Sequence, residues 1–222
     1  MKVLIACEYS GRVRDAFTKL GHDATSCDLL PSETEGKHYQ GDIFDIIYQD
    51  WDLLIAHPPC TYLTGAAEWA FSDHPIINGK PRNIKPETLI GEARREARKQ
   101  ALDFVSRLYL MQHIKKICIE NPVGVINKNL PFMPKPQYVQ QYWFGEDASK
   151  KTGLWLKGLS KLKPTEMIDP RYVDGKPRWG NQTDSGQNNL PPSKDRWKIR
   201  STTPQGIADA MAKQWGKQNA NI

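Results

Sequence analysis

W-D-L-L-I-A-H-P-P-C-T-Y-L-T, Trp51 to Thr64, is the stretch that decides the fold. Leu53, Leu54, Ile55 and Ala56 form a short, uninterrupted apolar run. Such a run fits a strand buried on both faces, as in a parallel sheet. Pro58 and Pro59 end it, since neither donates a backbone hydrogen bond and both hold φ near about −65°. Cys60 then stands at the tip of a stiff turn. In open α/β sheets, ligands bind just beyond the carboxyl ends of strands. A cysteine there is placed for chemistry. Free cysteine also packs as a small core hydrophobe, and this stretch alone leaves both readings open.

Upstream, Lys2 to Cys7 reads as a first strand, and Glu8-Tyr9-Ser10-Gly11 as a turn. Val13, Ala16, Phe17 and Leu20 share one face of a helix over Arg12 to Leu20, and Gly21 ends it. Asp23 to Leu29 gives a second strand, completing a β-α-β unit. Asp28 near its end can accept hydrogen bonds from a ribose, or serve as a turn residue before Pro31. The first turn has one glycine where a dinucleotide fingerprint has three. That argues against NAD and leaves an adenosine cofactor without a pyrophosphate.

Downstream, Gly65 to Phe71 reads as one or two helical turns. Residues 72–86 hold Pro75, Gly79, Pro81 and Pro86 and read as a mobile loop, placed as a lid after the cysteine turn. Pro86 to His113 is the longest helical stretch, with Ala93, Ala97, Ala101, Phe104, Val105 and Leu108 as its apolar stripe. Arg94, Arg95, Arg98 and Lys99 fall mainly on a solvated face, partly paired with Glu92 and Glu96. Lys116 to Glu120 is another buried strand, stopped by Asn121-Pro122. Glu120 there is poorly explained by a core, although a surface turn would also hold it. Tyr138 to Gly145 and Thr152 to Lys157 read as further strands, residues 158–200 as irregular, and Thr203 to Trp215 as a closing helix. The pattern is α/β with a mainly parallel sheet, residues 1–222 forming a single domain.

No apolar run approaches the roughly 20 residues of a membrane span. Glu8 interrupts the amino-terminal run too early for a signal peptide, so a soluble cytoplasmic protein is expected. Cys7, Cys27, Cys60 and Cys118 form no C-x-x-C pair and no zinc-type grouping with the five histidines, so no metal is expected. Cys7, Cys27 and Cys118 lie in or at the ends of apolar runs and read as core. From Lys150 onward, ten Lys and four Arg face six acidic residues, a net of +8, while residues 1–149 carry −2. Such a tail fits a polyanionic partner such as nucleic acid, or simply a solvated surface.

Taken in order, these pieces resemble the DNA cytosine C5-methyltransferase family, which uses S-adenosylmethionine. The resemblance covers most of the chain. Val3 to His22 is similar to the family's first motif and helix, Asp28 to its ribose-holding acid, and Gly41-Asp42-Ile43 to its adenine-contacting motif. Pro59-Cys60 resembles the motif carrying the nucleophile, and Glu120-Asn121 the motif whose acid binds the target base. Ser201-Thr202-Thr203 occupies the place of the last cofactor motif. The resemblance implies a Rossmann-like class I S-adenosylmethionine-dependent methyltransferase fold, with Cys60 and Glu120 catalytic. It implies that Cys7, Glu8, Tyr9, Ser10, Gly11, Asp28, Leu29, Asp42, Ile43, Pro59, Ser201 and Thr203 hold the cofactor. Most family glycines of the first motif are missing. Ser149-Lys150-Lys151-Thr152 stands where the family has Gln-x-Arg-x-Arg. Residues 158–200 are a short irregular basic segment in place of a target-recognition domain. The chain looks like a compact branch of the kind phages and prophages carry, which sets the expected location as a bacterial or phage-infected cytoplasm.

The chemistry the family carries out explains the residue types. Cytosine C5 is too weak a nucleophile to take a methyl group directly. A thiolate adding at C6 makes C5 enamine-like, and cysteine is intrinsically a strong nucleophile with a few per cent thiolate near pH 7. A carboxyl group raised in pKa by burial can protonate or hydrogen-bond N3. The base must first leave the duplex. Two other classes remain. His57-Pro58-Pro59-Cys60 also resembles the Asp/Asn-Pro-Pro-aromatic motif of exocyclic-amine methyltransferases, and a non-catalytic nucleic-acid-binding relative would keep the same fold. For duplex or single-stranded DNA, phosphate contacts from Lys150, Lys151, Lys194, Arg196 and Arg200 are expected, with Trp179 or Trp197 stacking on exposed bases. The competing expectation is a protein partner that supplies sequence recognition.

Overall fold

The computed structural model describes residues 1–77, 80–81 and 83–217. The chain begins with β1 (Lys2–Ala6), α1 (Arg12–Lys19), β2 (Asp23–Asp28), β3 (His38–Gln40) and β4 (Leu53–Ala56). A two-residue pair follows, β5 (Ile76–Ile77) and β6 (Lys80–Pro81), then α2 (Gly91–Tyr109), β7 (Lys116–Pro122) and the short α3 (Ile126–Asn129). The last part holds β8 (Gln137–Val139), β9 (Thr152–Lys157), β10 (Arg171–Val173), β11 (Lys176–Arg178), α4 (Arg196–Ser201) and α5 (Gln205–Trp215).

Seven strands form one sheet in the order β3-β2-β1-β4-β7-β9-β8. The five from β3 to β7 run parallel, and β9 is antiparallel to both of its neighbours. This is a Rossmann-like α/β fold. The chain winds from β1 outward to β2 and β3, then returns to place β4 on the other side of β1. That reversal is a topological switch point, where doubly wound sheets open a crevice at the carboxyl ends of their strands.

Alternate residues of the central strands feed two cores. Val3, Ile5, Leu53, Ile55 and Cys118 pack under Phe17 of α1 and Ile207, Met211 and Trp215 of α5. Leu4, Ala6, Leu54, Ala56, Ile117 and Ile119 pack under Val105 and Leu108 of α2. Both faces of β4 are therefore dry, as its unbroken apolar run requires.

Several boundaries differ from the sequence reading. The long helix starts at Gly91, not near Pro86, because Gly91 has φ +56° and the Asp73 carboxylate accepts from the Glu92 amide just beyond it. The stretch Tyr138 to Gly145 is not one strand. After Val139 it coils into a tight turn, and the Trp143 carbonyl accepts from the amides of Thr165 and Glu166. Residues 158–200 contain the hairpin β10–β11 and most of α4. Gly65 to Phe71 supplies a single tight helical turn, over Glu68 to Phe71. Of the expected mobile loop, residues 72–86, positions 78, 79 and 82 lie outside the described residues; the rest includes the β5–β6 pair.

Arg14 fastens the β2–β3 connection to α1. It is 1% exposed and donates to the hydroxyls of Ser26, Ser32 and Thr34 and to the Glu35 carbonyl at 2.6 to 3.2 Å. A Cβ on Gly11 would fall 2.4 Å from the guanidinium, so Gly11, itself at φ +73°, must stay bare. Arg14→Met leaves these acceptors without their donor. Chemical denaturation should then show a loss of about 2–4 kcal/mol; a loss under about 0.5 kcal/mol would show that the loop holds itself.

Candidate active site

Three strand ends meet at the crevice. β1 runs into Cys7 and Glu8, β4 into His57-Pro58-Pro59-Cys60, and β7 carries Glu120 and Asn121 near its own end. The register pairs Ala56 with Ile119, which places His57 beside Glu120. Their side chains join directly, with His57 Nδ1 3.0 Å from Glu120 Oε2. Asn121 Nδ2 donates to the Pro58 carbonyl at 2.7 Å. The two turns that sequence reading selected separately are thus bonded to each other at two points.

Cys60 is exposed at the start of a tight helical turn, and its carbonyl accepts from the amides of Leu63 and Thr64. The segment after it is held from outside by α2. Arg98 donates to the carbonyls of Tyr62 and Thr64 and to the Glu68 carboxylate. Arg95 reaches the Phe71 carbonyl, and Arg94 lies by the rings of Tyr62 and Phe71. This corrects the expectation of a solvated basic face: Arg94 is buried and Arg98 mostly so. From the other side the Val125 amide donates to the Leu63 carbonyl, and a Cβ on Gly124 would sit 1.9 Å from that oxygen.

His57 and Glu120 form a largely buried hydrogen-bonded pair, with side chains 7% and 16% exposed. Burial pushes the Glu120 carboxyl up, but the hydrogen bond and charge of His57, with Lys150 adding, hold it below its ordinary value. For His57 burial pulls down, yet the Glu120 bond, the Glu120 charge and Glu8 raise it above its ordinary value, against Lys150. The sequence-based expectation of a carboxyl raised by burial is therefore reversed for Glu120, because the histidine partner outweighs desolvation. Burial does raise Glu8, against the charge of His57 and the amides it accepts from.

Glu8 has a structural task as well. Its carboxylate accepts from the amides of Val13 and Arg14 at 2.7 and 3.2 Å, occupying the α1 amino terminus. An anionic pyrophosphate would meet that carboxylate where a dinucleotide fold offers bare amides. Cys7 has φ +58°, and its thiol is pushed up by burial and by the nearby Asp28, Cys27 and Asp42. Asp28 accepts from the Leu30 amide through Oδ1, and Asp42 accepts from the Phe44 amide. The ends of β1 and β2 and the turn after β3 thus gather carboxylates, an acceptor set suited to ribose hydroxyls and to a cationic adenosine cofactor.

The remaining cofactor candidates divide. Tyr9 Oη lies 3.0 Å from Ser201 Oγ, and the Thr203 carbonyl accepts from Arg12, so the Ser201–Thr203 stretch lies against Tyr9 and the start of α1. Ser10, Gly11 and Thr203 are buried; Leu29 and Pro59 are exposed. Ile43 does not present its side chain to the crevice, because that side chain belongs to the α2-side core.

The basic candidates behave unlike a uniform phosphate-binding face. Lys150 donates to the Arg200 carbonyl and lines a narrow recess with Glu120, Thr152 and Ser201 to Thr203. Lys151 lies 4.4 Å from the Tyr138 ring centroid, and Arg196 donates to the Leu190 carbonyl. Lys194 and Arg200 are exposed. Trp179 is half-buried and has one ring face stacked on Tyr142 at 4.1 Å. Trp197 is 52% exposed and leans on Tyr9.

A second cleft of about 640 Å³ lies between α1 and the β2–β3 connection, lined by Ser10, Arg12, Asp15, Glu33, Thr34 and others. It opens to solvent on the flank of α1 and contains neither Cys60 nor Glu120. Sequence reading overlooked the pairing of His57 with Glu120. The signal was present, as a histidine between an apolar strand and two prolines.

No protein-family model matches the chain, and no curated protein matches it. Among solved structures, a triple mutant of DNMT2 from Spodoptera frugiperda is similar. The match covers 80% of this chain and 57% of that one, at 14% identity and a TM-score of 0.41. The chain thus spans little more than half of that structure's length. No described helix is long and apolar enough to cross a membrane, and no described group of His, Cys, Asp and Glu could hold a metal ion.

Proposed function

We propose that the protein is an S-adenosylmethionine-dependent methyltransferase acting on C5 of cytosine in DNA through a covalent Cys60 adduct. The observation that carries this reading is the bonded pair of turns. The turn that carries the exposed Cys60 and the end of β7 that carries the mostly buried Glu120 are tied together through His57–Glu120 and Asn121–Pro58. Cys60 adds to C6, Glu120 addresses N3, and the exposed side chain of Cys60 leaves it open to an extruded base. When bound, the cofactor supplies a methyl group on a good sulfonium leaving group. Cys7, Tyr9, Asp28, Asp42 and Ser201 would hold it. His57 disfavours the exocyclic-amine alternative, because its Nδ1 is engaged by Glu120 and its Nε2 is buried, so neither ring nitrogen is open to a substrate amine.

The deciding test is mass spectrometry of nucleosides from DNA incubated with protein and cofactor. The expected product is 5-methylcytosine. A methylated exocyclic amine, or no product with DNA, would overturn the reading. Asp28→Ala removes a carboxylate at the ribose position, where a charge-assisted bond contributes roughly 1.5–3 kcal/mol. Calorimetry should show cofactor binding weakened about tenfold or more; equal affinity would remove Asp28 from the site.

DNA is held chiefly through phosphates, by the exposed Lys194 and Arg200 together with Lys151. Binding should fall with salt with a log–log slope of about −0.9 per phosphate neutralised on duplex, and should vary little with sequence. A flat salt response, or tight preference for a long site by the protein alone, would contradict this. Recognition supplied by a protein partner would instead leave binding weak until that partner is added.

A further inference from the structure

We infer that His57 is the proton store for Glu120: a positioning residue that keeps one proton on the pair so that Glu120 can deliver it to cytosine N3. This deepens the proposed function and rests on it. Protonating N3 requires a carboxylic acid, yet Glu120 is bonded to an imidazole at 3.0 Å, where the carboxylate form is the stable one. The proton has not left the site; it sits on Nδ1. The other ring nitrogen, Nε2, is buried and has no hydrogen-bond partner among the described residues. Within the protein, Nδ1 is therefore the ring atom with an acceptor for its proton, and that acceptor is Glu120.

The groups around the pair favour a protonated imidazole at rest. Facing His57 are Glu120 from β7, Glu8 from the turn after β1 and Lys150 from the segment before β9, two carboxylates against one ammonium. Facing Glu120 are His57 and Lys150, with Cys118 two residues before it on β7. Glu8 is itself tied to the α1 amides through both carboxylate oxygens, so it supports the charge without taking the proton.

The step balances. The Cys60 Sγ–C6 bond forms, the C5–C6 π pair becomes a C4–C5 double bond, and the C4–N3 π pair moves onto N3. The single proton of the pair passes from Nδ1 to the Glu120 carboxylate and from there to N3. The imidazole is left neutral, Glu120 is again a carboxylate, and the thiolate's charge has been neutralised in the adduct. Once C5 carries the methyl group, it gives its proton to solvent water, the C5–C6 double bond re-forms as the Sγ–C6 bond breaks, and the N3 proton returns through Glu120 to Nδ1. A lone buried glutamic acid could do the same only at a pH below its own pKa, whereas the pair keeps its proton until the imidazole titrates.

The test compares pH–rate profiles of methyl transfer for the wild type and His57→Gln, which can still donate to Glu120 but carries no exchangeable charge. A tritium-labelled cofactor and a cytosine-containing oligonucleotide provide the assay, and nitrogen-15 imidazole spectra provide a readout independent of turnover. For the variant, kcat should fall about 10- to 100-fold with KM within about threefold. The alkaline fall in rate should move to lower pH, since the proton must now reside on Glu120 alone. In the wild type the His57 imidazole should titrate above 6.5, and Glu120→Gln should bring it down. A variant with an unshifted alkaline limb, or a wild-type imidazole titrating at or below 6.5, overturns the role of His57 while leaving the methyltransferase in place. A wild-type protein that forms no 5-methylcytosine overturns both.

Discussion

Cys60→Ser should lower methyl transfer on the order of 10³-fold or more, while cofactor affinity stays within a few-fold and stability within about 0.5 kcal/mol. The three expectations separate because of where the residue sits. Its side chain is exposed at the tip of a turn fixed by Pro58 and Pro59, by the Asn121 amide on the Pro58 carbonyl, and by the Leu63 and Thr64 amides on its own carbonyl. None of those bonds uses the sulfur, so the turn survives the exchange. The cofactor candidates Cys7, Asp28 and Asp42 lie at other strand ends and keep their partners. What is lost is a nucleophile that can ionise, because a serine hydroxyl stays protonated at neutral pH without a dedicated base. An oligonucleotide containing 5-fluorocytosine provides the complementary result. Fluorine cannot leave as a proton does, so the adduct stalls, and a denaturant-resistant complex should form with the wild type and not with Cys60→Ser. Undiminished methylation by Cys60→Ser would end the covalent reading and return the exocyclic-amine chemistry as the leading one.

Local chemistry made the parallel core legible. The Leu53–Ala56 run, the Lys116–Glu120 run and the α1 apolar face are each decided within a few residues by periodicity and by a proline or glycine stop. β9, Thr152–Lys157, was read with its observed bounds for the same reason. The missed features depend on distant partners or on turn signals left unread. Arg94 and Arg98 look like surface charges by spacing. They are drawn inward because the segment after Cys60 offers carbonyls at Tyr62 and Thr64 and rings at Tyr62 and Phe71, none of which helical periodicity can reveal. The β10–β11 hairpin was announced by Asp174-Gly175, both at positive φ as a tight hairpin turn requires, within a stretch otherwise read as irregular. At the site, Cys60 and Glu120 were legible one at a time. Their link through His57 was not, since 63 residues separate the partners and only the β4–β7 register brings them together. The reversed pKa expectation for Glu120 follows from that omission.

Glu120→Ala should cost about 3 kcal/mol of stability near pH 5.5, beyond any effect on turnover, because it strands a buried imidazole that must either stay charged without a partner or give up its proton. Glu120→Gln should cost less, since an amide oxygen can still accept from Nδ1 while the charge is gone. The pH dependence of the difference between wild type and Glu120→Gln identifies the pair. Glu120 sits below its ordinary 4.5 in the folded protein, so its contribution is complete above 4.5 and is lost as pH falls through the lowered value. His57 sits above its ordinary 6.5, so its contribution is complete below 6.5 and is lost as pH rises through the raised value. The difference should therefore be largest between about pH 4.5 and 6.5 and shrink on both sides. Taking a difference matters because Glu8, raised by burial, makes both proteins lose stability as pH climbs above 4.5. Urea denaturation of wild type and Glu120→Gln from pH 4 to 9 measures it. A difference flat across that range would mean that the two side chains share a neutral hydrogen bond rather than a charge. The proton assigned to His57 would then have to come from elsewhere.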